Sequence, residues 1–233
     1  MSTAPRLVPR PDIDLRSLIA TPMIDQGARP LCLPIALSAA HDASFPRTGK
    51  APEAIWWHCT RLGQVSAHGM ALQHAGEALA TVGQLDLHEW HWNPALGVDT
   101  EEPPPACGPP PWDLATAIEI PLAHDGTEDL LEDVLAAGAP VVLVVEVTDE
   151  FDRPALDGSI AVPDVRAPAG DYHAVLVVGA ATRTTGRNLL IRNSWGPAWG
   201  AGGHGWIPLD YLIANAVQAA LVSTPNTTKR DGN

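Results

Sequence analysis

Residues 193–205 read Asn193-Ser194-Trp195-Gly196-Pro197-Ala198-Trp199-Gly200-Ala201-Gly202-Gly203-His204-Gly205. Gly200 to Gly205 has neither the lysine nor the strand-to-helix setting of a phosphate loop, so it reads as a tight turn entering a strand. Working outward, Asn188–Arg192 is an apolar strand that delivers Asn193 to the turn, and His173–Ala180 is a second strand that opens with a histidine. Far upstream, Asp25-Gln26-Gly27 precedes Cys32, with a six-residue step from Gln26 to the thiol.

The chain has 233 residues, 45% of them hydrophobic, which is enough for one or two compact domains with a real core. Its 14 basic and 27 acidic side chains give a net charge of −13. The lysines are Lys50 and Lys229 alone, so no basic surface is offered to nucleic acid or to an anionic membrane. The longest apolar run, Pro140 to Val145, is far below the roughly 20 residues of a membrane span, and Met1 to Arg16 lacks the apolar core of a signal peptide. These features lead to the expectation of a cytoplasmic protein. Cys32, Cys59 and Cys107 are too few and scattered for a disulfide framework or metal cluster, so any chemistry rests on single thiols and no cofactor is expected. His88-Glu89-Trp90-His91 has its histidines three apart without a third ligand, so no metal site is expected there.

Helical periodicity covers Leu31 to Ala43, with Pro30 and Pro34 tolerated because they precede or sit in the first turn; Cys32 then lies at a helix N-terminus. Pro52–Leu62 and Gly69–Val82 read as two further helices, the second stopped by Gly83. Glu101 to Pro111 holds six prolines and serves as a connector. Beyond it, Asp125 and Glu128 offer a capping box for a helix ending at Gly138, and Val141–Val147, His173–Ala180, Asn188–Arg192 and Ala216–Val222 read as strands. The expected organisation is an arm over 1–12, a mainly helical left domain over 13–112, a mainly β right domain over 113–223 and a tail over 224–233. Trp56, Trp57, Trp90, Trp92 and Trp206 are assigned to packing rather than to ligand platforms.

The order Gln26, Cys32, His173, Asn193, with the Asn-Ser-Trp-Gly block and its glycine-rich tail, resembles the papain-like (C1) cysteine peptidases. The resemblance spans roughly Ile13 to Val222. It implies an α+β fold: a helical left domain and a β-barrel-like right domain with the active-site cleft between them. It further implies a cysteine endopeptidase, a hydrolase that cleaves peptide or protein substrates through a thioester.

Each residue suits its implied role. Thiolate at Cys32 gains from a helix N-terminus and from an imidazolium at His173. Asn193 can orient the ring and Trp195 can shield that bond from water. Gln26 and the Cys32 N–H can hold an oxyanion. His68, Gly69, Met70 and Ala174 are expected to line the substrate cleft, with small apolar walls favouring an apolar side chain two positions before the scissile bond. The alternatives are a catalytically weak papain-like scaffold that binds a protein partner, and a peptide ligase or cyclase sharing the acyl-enzyme.

Departures from the family pattern are specific. Leu33 and Pro34 replace the aromatic residue after the nucleophile, Arg29 stands where a cysteine often lies, and a single glycine, Gly69, replaces a pair. The mature-like start at Asp14-Leu15-Arg16 leads to the expectation of a propeptide-free enzyme.

Overall fold

The structure, a computed structural model, describes residues 10–45, 48–122, 126–163 and 170–225. Most of the expected N-terminal arm, the C-terminal tail and Asp125 of the expected capping box lie outside the described residues.

Helices α1 (Cys32–Asp42), α2 (Pro52–Arg61) and α3 (Leu72–Thr81) fill the first half. Pro34 is the third residue of α1, where its missing N–H would have had no partner in any case. Pro52 opens α2, its fixed φ suited to the first helical turn. The helix expected from Gly69 begins later, at Leu72. Gly69 and Met70 instead form β3, which pairs with β2 (Val65–Ser66) in a short hairpin. Gly83, with φ of +76°, follows α3 as expected; a Cβ there would meet the Asp113 carbonyl oxygen at 2.4 Å, so only glycine lets the two segments meet.

The second half is built on an antiparallel sheet of β4 (Thr116–Ile120), β5 (Val141–Glu146), β6 (Tyr172–Arg183), β7 (Gly186–Arg192), β8 (His204–Pro208) and β9 (Ala216–Ser223). Their order is β4-β9-β5-β6-β7-β8. β1 (Ile13–Asp14) joins this sheet along β6, opposite Gly179 and Ala180, so a segment assigned on sequence to the helical half belongs to the sheet. Strand β4 and the helices α5 (Asp149–Asp152) and α6 (Leu209–Asn215) carry no strong periodic signal and were not expected. α4 (Thr127–Ala136) has Gly126 before it.

Alternation along β5 and β6 divides the interior. Ala174, Leu176 and Val178 face α1 and α3 in one apolar cluster with Leu33, Leu37 and Leu79. Val175 and Val177 face the opposite cluster, with Leu131, Phe151, Trp199 and Tyr211. Trp56, Trp57 and Trp90 are buried, and Trp92 and Trp206 are partly buried against apolar clusters.

Candidate active site

Cys32 is the first residue of α1, and α1 packs directly against β6. His173 is the second residue of β6, paired across the sheet with Val145. Both open onto one cleft of about 690 Å³, lined also by His68, Gly69, Met70 and Ala174. All four residues expected at the substrate wall therefore line the cleft onto which the thiol opens. The cleft floor includes residues that sequence patterning missed: Val144 pairs with Ala174 on one side and Gln218 on the other, forming one row across β6, β5 and β9.

Asn193 follows β7 directly, and its Oδ1 accepts hydrogen bonds from His173 Nε2 at 2.6 Å and from the Ser194 backbone N–H at 2.7 Å. A backbone N–H can only donate, so the side-chain atom facing it is oxygen. An oxygen carries no proton to give the ring, so His173 Nε2 bears a proton, and in the neutral ring Nδ1 is the bare nitrogen. His173 stacks on Trp195 with ring centroids 4.6 Å apart and meets Phe151 edge-on at 6.1 Å. Phe151 in turn packs against Trp195 and Trp199. Trp195 was expected to shield the His173–Asn193 bond; Phe151, isolated in a four-residue helix, offered no signal.

Gln26 reaches the same block from the far side of the chain. Asp25 bridges to Trp195, and the Gln26 N–H donates to the Ser194 carbonyl at 2.8 Å. The Gln26 side chain is held at both ends: Oε1 accepts from Ser194 Oγ, and Nε2 donates to the Arg29 carbonyl at 2.9 Å. The carbonyl can only accept, so the amide orientation is fixed and one N–H remains beyond the Arg29 bond. Gln26 does not itself line the cleft that holds Cys32 and His173.

Burial works against the standing ion pair that the resemblance implies. Burial pushes the Cys32 thiol up, opposed by the backbone N–H groups of Ala174, Leu33 and Cys32 itself. Burial pushes the His173 imidazole down to about 4, opposed by Asn193 and by the charge of Asp171. Both effects penalise charge, so burial favours the neutral thiol and the neutral imidazole, and a charged pair forms by proton transfer between them against that burial. Cys59 is buried, its thiol pushed up to about 11 by burial and by Glu77. All three cysteines are free.

Residues 115–220 match the family model described as Papain family cysteine protease. The chain is 27% identical to a cathepsin L-like peptidase from Aedes aegypti over 193 residues, 79% of this chain and 54% of that protein. It is 31% identical to a silicatein from Petrosia ficiformis over 90 residues, 39% of this chain and 26% of that protein. The chain thus matches about half and about a quarter of these relatives' lengths. Among solved structures, xylellain, a cysteine protease from Xylella fastidiosa, superposes with a TM-score of 0.71 at 24% identity, covering 96% of this chain and 91% of that one. The Carica candamarcensis cysteine protease CMS1MS2, in complex with E-64, gives a TM-score of 0.70 at 19% identity over 91% of this chain and 98% of that one. The second half thus matches the papain family model, and the chain as a whole has the papain-like fold.

Proposed function

We propose that the chain is a cysteine peptidase that hydrolyses peptide bonds with Cys32 as nucleophile and His173 as general acid and base. The observation that carries this reading is the hydrogen bonding of the histidine: Asn193 Oδ1 holds a proton on Nε2, so that the neutral ring, which shares the cleft with the thiol, has Nδ1 free to accept a proton. A base facing a thiol must be unprotonated to accept its proton, and the depressed imidazole meets that requirement across the neutral range.

The reaction runs in two halves. As the Cys32 sulfur attacks the substrate carbonyl carbon, its proton passes to His173 Nδ1 and the carbonyl oxygen becomes an oxyanion. The family resemblance, not the cleft lining, assigns the Cys32 N–H and the remaining N–H of Gln26 as donors to that oxygen. Collapse of the tetrahedral intermediate breaks the C–N bond, and His173 returns the proton to the leaving amine. Water then attacks the thioester, giving its proton to His173 as the C–S bond breaks, and the thiol recovers it when the acid leaves.

Val65, Met70, Leu72, Val144, Ala174 and Val217 make the cleft mainly apolar. This supports a substrate with an apolar side chain near the scissile bond. The test is turnover of a fluorogenic peptide library by the intact chain and by Cys32→Ala. Cleavage that vanishes in Cys32→Ala supports the reading, and cleavage that persists overturns it.

A further inference from the structure

We infer that the buried Arg29–Glu53 pair is a positioning device for Gln26, holding in place the carbonyl that orients its amide. The inference rests on the reading of Gln26 as an oxyanion donor.

Arg29 lies three residues before Cys32 and is 1% exposed; Glu53, in the first turn of α2, is fully enclosed. Arg29 Nη1 donates to Glu53 Oε1 at 2.5 Å and to the Asn93 carbonyl at 2.8 Å, and Nη2 donates to Glu53 Oε2 at 3.1 Å. Nε donates to the Gly97 carbonyl at 2.9 Å, and Nη2 approaches the Asp99 carbonyl at 3.5 Å. The guanidinium also lies over the Trp92 ring, 4.5 Å from its centroid. All five N–H groups face acceptors, and a planar fork satisfied on every side cannot rotate without losing several at once.

The backbone of this locked residue carries the active-site contacts. Its N–H donates to the Gln26 carbonyl at 3.0 Å, its carbonyl accepts from Gln26 Nε2 at 2.9 Å, and the same carbonyl accepts from the Leu31 N–H at 2.9 Å, one residue before Cys32. Side-chain anchoring of Arg29 is thereby transmitted to the amide of Gln26 and to the start of α1. Stability alone accounts poorly for the pair, because apolar residues of similar volume often replace a buried ion pair without loss. A fixed direction is what an apolar pair cannot supply.

The test separates positioning from bulk structure. Removing Arg29 alone would strand Glu53, so the double variant Arg29→Met, Glu53→Leu is used, with Arg29→Lys as a second variant that keeps the charge but loses the fork. Peptide kcat and KM are measured beside the rate of Cys32 alkylation by iodoacetamide, a displacement that forms no tetrahedral oxyanion. In both variants kcat should fall roughly 10–100-fold, less in Arg29→Lys, with KM and alkylation changed by less than about threefold. In a Gln26→Ala background the additional loss should disappear. Alkylation falling in step with kcat, or an undiminished loss without Gln26, overturns the positioning role. Absence of turnover in the unmodified chain overturns the catalytic reading instead, and the positioning role with it.

Discussion

His173 Nε2 donates to Asn193 Oδ1 at 2.6 Å, and the same oxygen accepts the Ser194 backbone N–H at 2.7 Å. One amide oxygen thus sets the histidine tautomer, and a backbone group sets the amide. Asn193→Ala removes the acceptor and frees the ring to rotate or to exchange tautomers. It should lower kcat roughly 10–100-fold with little change in KM, as measured by steady-state peptide hydrolysis. Unchanged kcat would mean that the ring is oriented by its aromatic neighbours alone.

Burial that favours the neutral thiol and imidazole has a direct chemical signature. With the thiol raised by burial and the imidazole lowered, Cys32 should alkylate slowly at pH 5–6 and progressively faster toward pH 9. Fast labelling of Cys32 at pH 5–6, mapped by peptide mass, would restore the standing ion pair that the family resemblance implies.

Two buried groups make opposite contributions to stability as pH falls. His173 binds its proton near 6.5 when unfolded but only near 4 when folded, so the stability present above pH 6.5 is lost as pH drops to 4. Asp42 is held by the backbone N–H groups of Thr21 and Lys50, yet burial raises its carboxyl to about 6. The folded state takes up that proton first, so acidification from pH 6 to 4 is stabilising for this group. Relative to the unmodified chain, His173→Gln should gain roughly 2–3 kcal/mol between pH 7 and 4.5, and Asp42→Asn should lose roughly 2 kcal/mol over the same interval. Urea denaturation at the two pH values checks both signs.

The row Ala174–Val144–Gln218 crosses three strands at the cleft floor. Val144→Asp places a carboxylate in the middle of it. Preference two positions before the scissile bond should shift from apolar toward Lys or Arg, with kcat/KM for the apolar substrate falling by roughly tenfold or more. A library profile left unchanged would remove this row from the substrate-binding surface.

Strong local signals made the central elements legible. The apolar run after His173, the helix opened at Cys32 and the turn glycines each follow from short-range periodicity or φ preference, and they correspond to β6, α1 and the link from β7 to β8. What escaped was set by long-range partners. Arg29 shows on sequence only as the residue standing where a cysteine often lies, and it is the fold that closes Glu53, Asn93 and Gly97 around it. Ser194 reads as part of a turn until Gln26 arrives from 168 residues away. Phe151 has only a four-residue helix to announce it. Gly69 was read into a helix because the residues after it are helical, whereas pairing with Ser66 holds it in a hairpin.

Acyl transfer to Cys32 leaves a covalent species that can be trapped. The chain is mixed with a peptidyl ester substrate, quenched in acid within the first turnover and analysed by intact mass and peptide mapping. One acyl adduct is expected, confined to Cys32, lost in Cys32→Ala and formed far more slowly in His173→Ala. Hydrolysis with no adduct on Cys32, or acylation spread equally over Cys32, Cys59 and Cys107, would contradict Cys32 as the nucleophile.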